Sequence, residues 1–316
     1  MMNFKSVSDL NHDVKRWLSQ LPKDIDVVIG IPRSGMLVAN LVSLYLDIPM
    51  ADIDGFLKGH VMGAGARKSF ADKKQFKKPL VVDDSVLTGR ALIEAKGKLR
   101  SANLGCDYYY GAPYVTPDKT GLVDFFHEII PIPRIFEWNF MHHATLLSEA
   151  CVDIDGILCR DPLPQENDDG PNYVKFITTV PVKIRPTTPV KWLVTCRLEK
   201  YRPPTERWLL ENNIRYENLV MLDLPSKEAR IKSGVHAKFK ADVYKKTGAV
   251  LFIESSYDQA VAIAKLSDKY VVCTDRGVMI YPNAFYEAYR DSWNVYQIVK
   301  GRIRSIVSSL RGNICR

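Results

Sequence analysis

Two short apolar runs in this chain each end on a pair of aspartates and a turn: LVVDDSVLTGRAL at 80–92 and EACVDIDGILC at 149–159. An apolar run of this length that stops at carboxylates reads as a buried strand delivering charge at its carboxyl end. Both of its faces need cover, a condition met by a parallel sheet between layers of helices. Two such strands, about seventy residues apart, ask for two such sheets.

The rest of the chain fits that demand. In the first half the pattern predicts an amphipathic helix over 5–20, a strand over 25–31 and a helix over 36–47. Strands follow at 48–53 and 78–84, then a helix from Arg90 to Ala102 and a strand over 107–115. The basic stretch 59–78 reads as a loop between two strands. A second alternation starts at 149–155 and resumes with a strand over 191–196 and a helix Pro203–Asn212. It continues through a strand over 219–222, a helix Ala241–Lys246, a strand over 249–254, a helix Tyr257–Ser267 and a strand over 270–274. Residues 160–189, with six prolines, interrupt the pattern and read as an insertion. The expected fold class is therefore α/β, with two Rossmann-like three-layer domains. The first spans 1–135, a linker covers 136–148, the second spans 149–285, and a basic helix occupies 286–316.

A length of 316 residues agrees with two domains. No run of eighteen apolar residues and no apolar leader core occur, so the expected location is cytoplasmic. The six cysteines show no paired metal or redox spacing. The net charge of +8 suits phosphate-rich ligands or an anionic membrane surface. No zinc-finger spacing or aromatic nucleic-acid motif accompanies it, so no nucleic-acid partner is expected. The basic tail reads as packing on the body, with peripheral membrane association as the alternative. His142 and His143 read as packing residues, since no further ligand can be placed beside them.

Asp83 and Asp84 emerge at the carboxyl end of a strand, where ligands bind in open α/β sheets. Paired carboxylates accept hydrogen bonds from two vicinal ribose hydroxyls. Ser85–Gly89 is a turn of small and hydroxyl residues opening a helix, which favours a phosphate. Upstream, VVIGIPRSGM (27–36) repeats the strand–loop–helix order, with Arg33 offering a fork suited to pyrophosphate. Read alone, a Gly/Pro/Arg turn after a strand is more often only a turn. Together the two segments resemble the type I phosphoribosyltransferases over roughly residues 1–135. LVVDDSVLTG matches that family's 5-phosphoribosyl 1-pyrophosphate (PRPP) motif, and GIPRSG its pyrophosphate loop. The resemblance implies Asp83 and Asp84 on the ribose hydroxyls and Ser85, Val86, Leu87, Thr88 and Gly89 around the 5-phosphate. It implies Arg33, Ser34 and Gly35 on pyrophosphate, often through a cis peptide. Arg67 and Lys68 would lie in the family's lid and close on the leaving pyrophosphate; a solvated charge run is the alternative. The implied reaction is substitution at the anomeric carbon, with Mg²⁺ and cations stabilising the departing pyrophosphate. The acceptor's base is open, with Asp52 and Asp54 as candidates.

In VDIDGILC, strand geometry puts Asp153 and Asp155 on one face, and Gly156 allows a sharp turn. One carboxylate can attack phosphorus while the other protonates the leaving alcohol. This segment resembles motif one of the haloacid dehalogenase-like phosphatases, and the later motifs recur in order over about 149–285. The resemblance implies Asp153 as nucleophile, Asp155 as general acid–base, and Thr195 and Lys240 on the phosphoryl group, with Lys238 competing for the last role. It implies Asp153, Asp155, Glu254 and Asp258 around Mg²⁺, with Glu254 standing where the family more often has Asp. The insertion 160–189 would be a small cap over an open site. Arg197, Tyr201 and Arg202 read either as phosphate contacts or as helix caps.

In series, the two chemistries would attach a phosphoribosyl group from PRPP and then remove its 5-phosphate. The pairing is similar to enzymes that install ribofuranose in bacterial surface polysaccharides, which implies as acceptor a sugar hydroxyl on a lipid-linked or growing glycan. The alternatives are a nucleobase phosphoribosyltransferase joined to a nucleotidase, and a PRPP-sensing regulator.

Overall fold

A computed structural model describes residues 2–63 and 76–282. Arg67, Lys68 and the expected tail helix 286–316 lie outside the described residues. The chain divides into two units, Met1–Asn139 and Phe140–Arg316.

The first unit opens with β1 (Asn3–Lys5) and α1 (Val7–Trp17). A capping box starts α1: Ser6 Oγ accepts from Asp9 N at 3.0 Å, and Ser6 N donates to Asp9 Oδ2 at 2.9 Å. Leu10, Val14 and Trp17 recur at helical spacing and are all buried. Then come β2 (Val27–Gly30), α2 (Gly35–Leu46), β3 (Met50–Asp52) and α3 (Ile53–Leu57). They are followed by β4 (Pro79–Val82), β5 (Ser85–Val86), α4 (Arg90–Ala102), β6 (Tyr109–Val115), β7 (Phe125–Ile129) and β8 (Arg134–Phe136).

The strand order is β3-β2-β4-β6-β5, with β7 also on β6, and all the pairs are parallel. Alternation along the strands sorts the core into two faces. Val28, Leu80 and Val82 join α1 and α2, whereas Val27, Ile29 and Val81 join α3 and α4 through residues such as Phe56 and Leu92. This is the expected three-layer arrangement. The pair β1–β8 was not expected, because three-residue strands carry too little pattern to read. The stretch read as a linker is partly core: Phe136 and Trp138 pack in the first unit. Their aromatic area finds cover there.

The second unit contains α5 (Ala144–Leu147), β9 (Ala150–Val152), α6 (Pro171–Thr179), β10 (Val190–Leu198), α7 (Arg202–Glu211) and β11 (Tyr216–Leu222). After these come α8 (Lys227–Ser233), α9 (His236–Lys246), β12 (Leu251–Glu254), α10 (Tyr257–Ser267), β13 (Tyr270–Cys273) and β14 (Val278–Ile280). The order is β11-β10-β9-β12-β13-β14, parallel except for the last pair. Ala241, Tyr244, Ile263 and Ala264 of α9 and α10 cover one face of the sheet through Cys151, Val194 and Phe252.

Residues 160–189 differ from the expected insertion. They contain α6, whose Tyr173, Phe176 and Ile177 are buried. Since β9 and β10 are parallel neighbours, this segment is the crossover that any such pair requires. Pro171 opens the helix, and Pro181, Pro186 and Pro189 lie on the return towards β10.

Candidate active sites

Each sheet has one place where the strand order reverses, and open α/β sheets bind ligands outside the carboxyl ends of the strands there. In the first unit the reversal falls between β2 and β4. The loop 31–35 leaves β2, and Asp83–Asp84 leave β4. The two aspartates occupy the break between β4 and β5, which both pair with β6. Asp83 N still donates to the Gly111 carbonyl of β6 at 3.2 Å, and the strand pairing lapses after it.

Gly35 lets the two loops meet. A Cβ there would lie 2.6 Å from the Val82 carbonyl oxygen and 3.2 Å from Asp83 Oδ1. The Pro32–Arg33 peptide is cis, as the resemblance implied. Arg33 and Thr88 are exposed, Ser34 and Ser85 are half-buried, and Val86 and Gly89 are buried. Leu87 is exposed, a large apolar side chain at the turn.

Asp84 is buried and accepts from the Trp138 indole N–H at 2.7 Å. Burial raises its pKa, and the hydrogen bond from Trp138 opposes that rise. Burial and the neighbouring Asp84 push Asp83 up to about 8. Two carboxylates held this close share a proton near neutrality unless donors or a cation arrive. Trp138 stacks on Phe136, with centroids 4.7 Å apart, and the Arg134 guanidinium lies 5.2 Å from the Phe136 centroid. Arg134 Nη2 reaches Ser85 Oγ at 3.5 Å, and its Nη1 is buried without a partner.

Sequence reasoning passed over Arg134 and Trp138. Their spacing at i, i+2 and i+4 with Phe136 is the extended-strand period and was the available signal. Asp52 and Asp54 are placed otherwise than as bases. Asp52 caps α3 through Gly55 N, and Asp54 meets Lys98 at 3.1 Å.

In the second unit the reversal falls between β9 and β12. Both Asp153 and Asp155 lie past the end of β9, so strand alternation does not set their directions. Gly156 turns the chain at φ +83°, and a Cβ there would strike Ser255 Oγ at 2.0 Å. The two carboxylates diverge to different cations. Asp153 Oδ2 accepts from Lys240 Nζ at 2.6 Å, and Lys240 also donates to Glu254 Oε2 at 2.6 Å. Asp155 takes Arg197 on both oxygens, with Nη2 at 2.6 Å and Nε at 3.0 Å.

Lys240 and Glu254 are nearly inaccessible. Burial pushes Asp153 up to about 7 even with Lys240 beside it. Lys238 is exposed, whereas Lys240 reaches the acids. Thr195 is buried, and its Oγ1 accepts from Arg197 N at 3.2 Å. It does not end its strand: β10 runs on to Leu198 through an irregularity after Val194. Arg197 is buried between the rings of Phe176 and Trp208, which gives it a clear place on Asp155. Tyr201 and Arg202 turn to Asp169 and Glu199 respectively.

The four carboxylates expected around Mg²⁺ are not drawn into one cluster. Asp258 is exposed in the first turn of α10, and Lys240 lies between Asp153 and Glu254. Among the described residues, Asp13, His127 and Glu128 do lie within metal-cluster spacing. Lys5 already sits there, 2.8 Å from Asp13 and 2.6 Å from Glu128. Its ammonium supplies the cation that this acidic group needs.

With both geometries described, the sequence comparison is decisive for the first unit only. Residues 6–106 match the phosphoribosyl transferase domain. The first unit carries a phosphoribosyl transferase domain. No curated protein matches the chain. Among solved structures, the Helicobacter pylori xanthine-guanine-hypoxanthine phosphoribosyltransferase is similar at 18% identity, over 44% of this chain and 92% of its own, with a TM-score of 0.34. A purine phosphoribosyltransferase from Pyrococcus horikoshii is similar at 15%, over 44% and 93%, with a TM-score of 0.33. The UMP synthase of Leishmania donovani is similar at 19%, over 39% and 26%, with a TM-score of 0.30. The 83–89 turn and the 31–35 loop both lie inside the matched residues. No helix of the described residues is long and apolar enough to cross a membrane.

Proposed function

We propose that the chain transfers ribofuranose in two steps, coupling a phosphoribosyl group from PRPP to a glycan hydroxyl and then removing the 5-phosphate. The observation that carries this reading is the pair of buried carboxylate groups, each at the carboxyl end of a strand beside a reversal of strand order. The first suits a sugar diphosphate and the second a phosphomonoester, which is what the first step would make. Loss of pyrophosphate and hydrolysis of the phosphate both drive the sequence forward.

In the first step, Asp83 and Asp84 accept from the ribose hydroxyls, while Ser85 to Gly89 surround the 5-phosphate. Trp138 holds Asp84 through its indole N–H. Arg33, Ser34 and Gly35 stand on the pyrophosphate side, and Arg67 and Lys68 are proposed to close over it. In the second step Asp153 attacks phosphorus and the alcohol departs with a proton from Asp155; a water that gives its proton to Asp155 then attacks the aspartyl phosphate, releasing inorganic phosphate and restoring both acids. Thr195 and Lys240 hold the phosphoryl oxygens. Arg197 keeps Asp155 apart from Asp153 by fixing both of its oxygens.

By donor type magnesium suits these residues, but here Lys240 occupies the space between Asp153 and Glu254, Arg197 holds Asp155, and Asp258 stands apart. The donors are hard carboxylate oxygens. Asp153, Asp155, Glu254 and Asp258 are the proposed holders. When bound, the ion supplies charge stabilisation to phosphoryl oxygens. Work on a carrier-linked glycan at an anionic membrane fits the net charge of +8.

The test is incubation of the full chain with PRPP, Mg²⁺ and a glycan acceptor, followed by mass. The expected record is gain of phosphoribose and then loss of phosphate, with Asp153→Asn stalled at the phosphorylated product. Dephosphorylated product from that variant rules out the assigned nucleophile. Pyrophosphate release that depends on a nucleobase instead points to salvage.

A further inference from the structure

The carboxyl end of β10 carries a cation that neither proposed step uses. Arg230, on α8, donates from Nη1 to the Cys196 carbonyl at 2.8 Å, one residue beyond Thr195. Its Nε is buried and has no partner. The other cations of this site are committed: Arg197 and Lys240 each have carboxylate oxygens at 2.6 Å. Arg230 makes no ion pair among the described residues. A guanidinium with an orphaned, desolvated donor is unfavourable unless something supplies the acceptor.

The surroundings point the same way. Tyr173 of α6 meets the Arg230 guanidinium, and Tyr201 and His236 feel its charge. Burial, then Arg230 and then Lys240, hold the His236 pKa below its ordinary value, so positive potential here is not cancelled. The acids near these tyrosines are engaged elsewhere. Asp169 accepts from Lys200, Tyr201 and Lys227 N, and Asp155 is held by Arg197. Asp153 and Lys240 are buried, while Arg230 is half-buried. Arg230 is therefore nearer solvent than Asp153 and Lys240 are.

We propose that Arg230 binds a second oxyanion, a phosphate group carried on the alcohol portion of the phosphomonoester. The inference rests on the phosphatase reading of the second unit and narrows its substrates to phosphomonoesters with a further anionic group. Arginine suits the task because its planar fork matches a phosphate in a way a lysine ammonium does not.

The experiment compares calorimetric binding of hexose 1,6-bisphosphate and hexose 6-phosphate to the full chain carrying Asp153→Asn, which blocks turnover. The bisphosphate is expected to bind about tenfold tighter or more. Adding Arg230→Gln should bring the ratio to near one, and Arg230→Lys should keep part of the preference. Equal binding of the two ligands before Arg230 is changed overturns the proposal. So does a preference that survives Arg230→Gln. If Arg230→Gln does not fold, the ratio in Arg230→Lys decides, and an undiminished ratio there refutes the proposal. Phosphate release by the unsubstituted chain with Mg²⁺ is measured separately. Its absence counts against the phosphatase reading, while the binding ratio still decides whether Arg230 is an oxyanion site.

Discussion

Replacing Lys240 by methionine tests the charge arrangement of the second unit directly. The lysine bridges Asp153 and Glu254 at 2.6 Å each, and its side chain is 2% exposed. Lys240→Met leaves two buried carboxylates facing an apolar side chain. Removing one partner of a buried pair destabilises by about 3–5 kcal/mol. For a unit of this size that corresponds to a fall in melting temperature of about 6–20 °C. The loss should depend on pH with a definite sign. Burial already raises Asp153 to about 7, and without the ammonium it rises further. A carboxyl whose folded pKa exceeds its unfolded value contributes stability below the unfolded pKa and loses it as pH rises through the folded one. The gap between parent and variant should therefore be small at pH 5 and widen through pH 7 to 8.5. Scanning calorimetry of both proteins in a chelator measures it. Equal melting at pH 8.5 would refute the reasoning, because two unneutralised acids cannot stay buried at no cost.

Trp138→Phe keeps an aromatic ring on Phe136 but removes the N–H donor to Asp84; PRPP binding, followed by calorimetry, should weaken about tenfold. Unchanged affinity would show that the indole does not position this carboxylate. Asp83, raised to about 8, should make stability without ligand fall as pH climbs from about 4 to 8. Asp83→Asn should flatten that decline in denaturant titrations, and an unaltered slope would remove the assigned cause.

Local pattern made much of the first unit legible. Apolar runs with the strand period, helical stripes such as Leu10, Val14 and Trp17, and turns at Gly35 and Gly89 place Asp83 and Asp84 at a strand end from sequence alone. In the second unit the apolar runs marked the strands that carry or precede Asp153, Thr195 and Glu254, and the resemblance to the phosphatases singled out Lys240. It misread 160–189, because a proline-rich crossover and an insertion look alike until the parallel neighbours on either side are known. It also took 136–148 for a linker, since the i, i+2, i+4 spacing of Arg134, Phe136 and Trp138 is too short a run to stand out beside the prolines before it.

The sequence by itself determined the alternation of strands and helices and the stopping points of the strands, because those follow from residue spacing along a regular backbone. Tertiary structure decided which charges meet. Lys240 lies 87 residues from Asp153, Arg197 lies 42 from Asp155, and Trp138 lies 54 from Asp84. Those meetings depend on the order of strands in each sheet, and with that order Asp153 and Asp155, two residues apart, are drawn to different cations. No local period encodes such a choice, since it arises only when buried acids must each find a counter-charge in the folded core.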